Sequence, residues 1–136
     1  GPFRALHVPG NADDHLVFVA GRAAFTGDAV LGHGSVFVSG RLREYLEGLR
    51  RLRAMGLERI YPGHGDEVTD PAAKLDEYLA HRAERERKLL AALEAGITDE
   101  EGLLDAAWGD APANVRRFAA ISLRAHLEKL RSDGRL

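Results

Sequence analysis

The sequence contains no cysteine, which excludes disulfide bridges and thiolate-ligated metal centres. Any metal must be held by His, Asp, Glu or weaker oxygen donors. No apolar run approaches the ~20 residues of a membrane-spanning helix, and no charged-then-apolar leader opens the chain. No membrane partner is expected, and a cytoplasmic location is. Excess positive charge is missing too. Residues 1–69 carry 8 basic and 8 acidic side chains and residues 70–136 carry 11 and 13, so no electrostatic footprint for nucleic acid stands out.

What is present is a globular composition, 45% hydrophobic and 29% charged over 136 residues, enough for one domain or two small ones with modest cores. Phe3 to His7 alternates weakly and reads as a short strand ended by Pro9-Gly10. Leu16-Val17-Phe18-Val19 is a continuous apolar run, the pattern of a buried strand. Gly21-Arg22 reverses the chain and Ala23-Ala24-Phe25 returns as the next strand. Ser35 to Val38 reads as another. Leu42, Tyr45, Leu46, Leu49 and Leu52 recur at helical spacing, which predicts a helix covering a sheet and ending at Gly56; Gly48 weakens it by about 1 kcal/mol relative to Ala. Leu57 to Tyr61 is then a further strand.

From Asp70 the pattern is helical only. Asp70 caps a helix with Pro71 in its first turn that runs to Gly96. Thr98-Asp99-Glu100-Glu101 forms a capping box for a second helix, and Asn114 caps a third carrying Ala120, Leu123, Leu127 and Leu130. This divides the chain into an α/β unit over 1–69 and a helical unit over 70–136.

Three runs concentrate the chemistry. Ala24-Phe25-Thr26-Gly27-Asp28 ends a strand in a turn and a carboxylate. His7-Val8-Pro9-Gly10-Asn11-Ala12-Asp13-Asp14-His15 precedes it, and Ile60-Tyr61-Pro62-Gly63-His64-Gly65 follows it. In each, a strand-like segment meets a Gly turn and presents polar side chains, so three strand ends can direct ligands to one spot on a sheet edge.

These runs resemble those of the metallo-β-lactamase-fold hydrolases, in particular the subgroup of β-lactamase-like protein 2, an endonuclease of single-stranded RNA. The resemblance continues through Ala73 to His81 (Ala-Lys-Leu-Asp-Glu-Tyr-Leu-Ala-His) and the helical tail, and so covers nearly the whole chain. It implies that residues 1–69 are the C-terminal half of an αββα sandwich and that 70–136 form a small winged-helix-like domain, with Ser132-Asp133-Gly134 turning toward a wing. It implies zinc in a two-metal site, with Asp28 as bridging carboxylate, His64 as the last histidine ligand, and Asn11 at the position of the first. A carboxamide is a far poorer zinc ligand than imidazole. The His-x-His-x-Asp-His half of the family, with most metal ligands and the water-activating aspartate, has no counterpart in the chain.

Taken as residues alone, Asp28 also fits an ordinary turn position and His64 an exposed loop histidine; their order along the chain favours ligands. His15 has three open roles: lining the site, replacing the ligand missing at Asn11, or hydrogen-bonding backbone behind it. His33 is placed on a loop near the cleft as a substrate contact, His7 beneath the loop, and His81 and His126 on helix surfaces. Arg116, Arg117, Arg124, Lys129, Arg131 and Arg135 could meet phosphates but fit a solvated helix face better. The expected function is therefore part of a zinc-dependent hydrolase acting on RNA phosphodiesters or on small esters and thioesters. The isolated chain is expected to be inactive, with its partner the missing half or a second copy in a homodimer. The alternative is a non-catalytic binding or dimerisation module built on the same scaffold.

Overall fold

A computed structural model of the chain describes residues 3–10, 12, 14–32 and 37–136. Asn11, Asp13 and His33 lie outside those residues, as does half of the strand expected over 35–38. The other half, Phe37 and Val38, is in no strand.

Four strands form one sheet in the order β1 (Arg4–His7), β2 (Leu16–Ala20), β3 (Ala23–Gly27) and β4 (Arg59–Pro62). The first three pair antiparallel as a meander, with Phe18 opposite Phe25 across β2 and β3. Between β3 and β4 the chain passes through helix α1 (Leu42–Arg53), so β4 returns parallel to β3. Parallel pairing needs such a crossover, and it brings the C-terminal ends of β3 and β4 to one edge. α2 (Pro71–Glu94), α3 (Glu100–Trp108) and α4 (Arg116–Ser132) follow. Among the described residues no helix is long and apolar enough to cross a membrane.

One face of the sheet is buried. Val17, Val19, Ala24 and Ile60 pack there with Tyr45, Leu49 and Leu52 of α1 and with Leu75 and Tyr78 of α2. Full burial of a side chain such as Leu49 contributes about 1.5–3 kcal/mol. A second core holds Leu89 and Ala92 of α2, Leu103, Leu104 and Trp108 of α3, and Leu123 and Leu130 of α4. α2 thus belongs to both cores.

The other face of the sheet is bare. Ala5, Phe18, Phe25 and Tyr61 sit side by side across the four strands. Phe25 and Tyr61 stack with ring centroids 5.2 Å apart, yet each is about 40% exposed, and Phe3, Leu16 and Phe18 are exposed as well. The run Leu16 to Val19 is therefore not a strand buried on both faces: Val17 and Val19 point into the core while Leu16 and Phe18 point away from it. His7 lies on the exposed face of β1 rather than beneath a loop.

The helix boundaries follow local chemistry with two exceptions. The Asp70 side chain accepts from Ala73 N–H, as a cap should, and Gly96 (φ 90°) ends α2. α3 is capped by Asp99, which accepts from Gly102 N–H, and not by Thr98. Asn114 caps nothing: it lies inside a 3-10 turn, Ala113–Val115, and α4 starts directly after it without a side-chain cap. α4 continues through Ser132, and residues 133–136 form no strand.

Gly48 has a packing reason that its helix propensity hides. A Cβ there would lie 2.8 Å from Val8 Cγ1, and Val8 is fully buried. Gly48→Ala would gain about 1 kcal/mol of helix propensity but overpack a site with no room, which typically costs about 1–3 kcal/mol. The variant is expected to be less stable than the parent in urea unfolding. A more stable variant would mean that the α1 contact with Val8 yields freely.

Candidate metal-binding edge

The turn after β3 is built to present Asp28. Gly27 has φ 53°, a left-handed conformation that few residues other than glycine adopt. It also lies against His15: a Cβ at Gly27 would be 2.7 Å from the His15 ring. Thr26 is fully buried, and its hydroxyl donates to Val30 O at 3.0 Å while Ala29 N–H donates back to Thr26 O at 3.0 Å. The same Thr26 carbonyl takes a 2.7 Å bond from His15 Nε2. A carbonyl can only accept, so Nε2 carries the proton. Of the roles open to His15, holding the backbone behind Asp28 is the one this bond describes.

The loop after β4 is brought alongside by a register shift. Phe25 pairs with Tyr61 but Gly27 pairs with Pro62, so β3 carries one extra residue at its end. Gly63 N–H then donates to Gly27 O at 2.8 Å, and Gly32 N–H donates to His64 O at 3.1 Å. A Cβ at Gly63 would sit 3.0 Å from Asp28 Oδ1, and one at Gly32 would collide with Asp66 O, so the two loops meet backbone to backbone. Ile60 and Val68 exchange two backbone hydrogen bonds that close the base of the second loop.

The result is a direct contact: His64 Nδ1–H donates to Asp28 Oδ1 at 2.8 Å, with both side chains substantially exposed. This leaves Asp28 Oδ2 and His64 Nε2 as uncommitted ligand atoms on one edge. Among the described residues no three His, Asp or Glu side chains converge as a metal-binding group. A carboxylate oxygen and an imidazole nitrogen are fitting donors for a divalent ion, and two are fewer than a zinc shell requires. Asn11 and His33 lie outside the described residues.

Two groups that hold this edge are legible in the sequence only as helix contacts. The Tyr45 hydroxyl donates to Ala29 O at 2.7 Å, and the Tyr78 hydroxyl accepts from Leu31 N–H at 3.0 Å. Burial raises the pKa of both phenols, which keeps them protonated. Tyrosine rather than leucine at two core-facing helical positions is itself the clue, because a buried hydroxyl needs a partner.

Three of the six basic residues of the tail are neutralised by carboxylates. Arg116 bonds Glu101 and Asp105, Arg124 bonds Glu100, and Lys129 bonds Glu86 and Asp133. His81 is half-buried on α2, and His126 is fully buried, not at a helix surface.

No family model matches the chain. Sequence similarity is nevertheless extensive. The chain is 31% identical over 137 residues to a β-lactamase-like protein 2 homologue of Drosophila melanogaster, covering 98% of the chain and 47% of that protein. It is 34% identical over 145 residues to an atrochrysone carboxyl ACP thioesterase of Aspergillus fumigatus, covering 96% and 46%. Among solved structures, a metallo-β-lactamase family protein from Thermus thermophilus superposes with TM-score 0.80 and 32% identity over 97% of the chain and 44% of that protein. A β-lactamase domain protein from Burkholderia ambifaria superposes with TM-score 0.86 at 22% identity, covering 97% and 43%, which bears on the fold alone. The chain is thus an α/β part of the metallo-β-lactamase fold, matching its C-terminal half. Its homologues in that superfamily include β-lactamase-like protein 2 homologues and lactamase-like thioesterases, and it spans less than half the length of these relatives.

Proposed function

We propose that the chain is the portion of a metal-dependent hydrolase that supplies one side of its metal site, with Asp28 and His64 as ligands. The observation that carries this reading is the 2.8 Å contact between these two side chains at the shared end of β3 and β4. When bound, a divalent ion such as zinc acts as a Lewis acid and makes coordinated water acidic near neutral pH. Asp28 would offer charge, His64 a neutral nitrogen, and His15 would hold the Thr26 carbonyl and so the direction of Asp28. The position of Asn11 along the first loop would leave one ligand weak, unless another side chain replaces it.

The remaining ligands and the general base would come from a second half that covers the bare sheet face. Phe3, Leu16, Phe18, Phe25 and Tyr61 form the apolar surface on which such a half would pack. In this reading residues 70–136 are a helical, winged-helix-like unit that shares α2 with the core beneath the sheet, and the protein is cytoplasmic. A small ester or thioester is the favoured substrate class over RNA phosphodiesters, because Arg116 and Arg124 of α4 are already paired with carboxylates. The runner-up is a non-catalytic module, in which a second copy of the chain covers the same face.

The test is elemental analysis and hydrolysis assays on a protein that joins this chain to the His-x-His-x-Asp-His half, compared with the chain alone. The proposal expects bound metal and thioester turnover only in the joined form, and a chain alone that self-associates in sedimentation. A metal-free, inactive joined protein would support the non-catalytic module. A monodisperse monomer of the isolated chain would count against the bare face as a docking surface.

A further inference from the structure

His126 is the most unusual side chain in the helical part. It is 1% exposed, and among the described residues neither ring nitrogen has a hydrogen-bond partner. Its ring packs edge-on to Trp108, with centroids 5.5 Å apart, and it lines a cleft of about 360 Å³ between α1, α2 and α4. A buried imidazole without partners is destabilising, so its presence calls for something that bonds to it. The cleft offers more than the histidine. Arg50 of α1, Arg82 of α2 and Lys129 of α4 also line it, and Lys129 is already held by two carboxylates, Glu86 and Asp133, each at 2.9 Å. Arg50 makes no ion pair among the described residues, and Arg82 is buried. Leu46 and Leu79 complete the walls with apolar surface.

We propose that this cleft is a binding site for the phosphate group of a small organic phosphate, with His126 and Arg82 at its floor and Arg50 at its side. Donors approach from three helices, which suits the tetrahedral oxygens of phosphate better than a planar carboxylate. The cleft is larger than the phosphate group needs, and Leu46 and Leu79 would meet the organic remainder.

The charged and titratable groups around His126 make binding depend on protons. Arg50 of α1, His81, Arg82, Arg85 and Glu86 of α2, and Lys129 of α4 surround it, and α3 packs its Trp108 ring against it. Burial first, and then Arg82, Lys129, Arg85 and His81, hold its pKa down. A bound anion offsets those cations, so His126 takes up a proton as phosphate enters and affinity rises as pH falls below neutrality.

Calorimetric titration of the chain with inorganic phosphate, in two buffers of unlike ionisation heat, tests this together with NMR of the histidine rings. The expected result is one saturable site with a dissociation constant of about 1 mM or tighter. Proton uptake on binding and a shift confined to the His126 ring should accompany it. Arg82→Gln should weaken binding at least ~10-fold, the loss of one charge-assisted contact of about 1.4 kcal/mol. Because Arg82 is buried, Arg50→Gln at the exposed rim is the second variant and should weaken binding severalfold with unfolding unchanged. His126→Phe should abolish the proton uptake. Absence of saturation, acetate binding as tightly at equal ionic strength, or phosphate binding indifferent to both Arg50→Gln and His126→Phe would each overturn the proposal.

Discussion

Acidification should destabilise the chain through His126 more than through any other single histidine. Burial and neighbouring cations push its pKa from the ordinary 6.5 down to about 3. Between those values the unfolded chain binds a proton at this position that the native chain does not. Stability therefore rises with pH across the window: it is fully present above about 6.5 and is lost as pH falls toward 3. The size of the effect, taken from the displacement of the pKa, is on the order of 4–5 kcal/mol. That is comparable to the whole stability of a marginal domain, about 5–15 kcal/mol. Carboxylates held low by cations, such as Asp110 beside Arg85 and Asp133 beside Lys129, add acid sensitivity of the same sign at lower pH. Comparison with His126→Phe separates the two, because the variant keeps those carboxylates and an aromatic ring against Trp108. In phosphate-free buffer its stability should change far less between pH 6.5 and pH 4 than the parent's, and at pH 7 it should equal or exceed the parent. Parallel acid-unfolding curves for the two proteins would show that His126 titrates normally and is not buried as described.

That histidine marks where sequence reasoning stops. Its place in α4 reads as a surface position because the residues that bury it, Trp108 and Arg82, are distant in the chain. The same limit applies to Gly48, whose reason is a contact with Val8, and to Leu16 and Phe18, where an unbroken apolar run reads the same whether one sheet face or both are covered. What is legible rests on local chemistry. The α1 stripe from Leu42 to Leu52, the Asp70 cap and the Gly96 stop are signals carried within a turn or two of helix. The site falls between these cases. Thr26-Gly27-Asp28 and Pro62-Gly63-His64 each announce a turn that presents a ligand, but their meeting depends on a one-residue register shift between β3 and β4 that no spacing reveals. The tyrosines that tie the Asp28 loop to α1 and α2 read as apolar contacts, since helical periodicity records a ring and not where its hydroxyl goes.

Substitution of Asp28 should act on metal and turnover while leaving the fold almost untouched. Asp28→Asn keeps the size of the side chain and an oxygen that can still accept from His64 Nδ1–H, so the loop geometry survives. The Asp28–His64 pair has side chains 48% and 78% exposed, and exposed pairs contribute about 0–1 kcal/mol to folding. Unfolding of the isolated chain should therefore shift by less than about 1 kcal/mol. In the joined protein the same change removes a ligand charge where the metal needs one. A loss of about 3–4 kcal/mol of interaction there corresponds to roughly 10²–10³-fold in turnover. Gly63→Ala should have a similar effect by a different route, since its Cβ would lie 3.0 Å from both Asp28 Oδ1 and the Gly27 carbonyl carbon and displaces the carboxylate and its turn by a few tenths of an ångström. The contrast between the variants is informative. Asp28→Asn should lower metal content with normal stability, whereas Gly63→Ala should lower both. Full metal content and unchanged turnover in Asp28→Asn would remove Asp28 from the ligand set and leave it as the group that orients His64. A large loss of stability in the isolated chain would instead assign the carboxylate a structural role, because an exposed pair that serves only function has no such stability to lose.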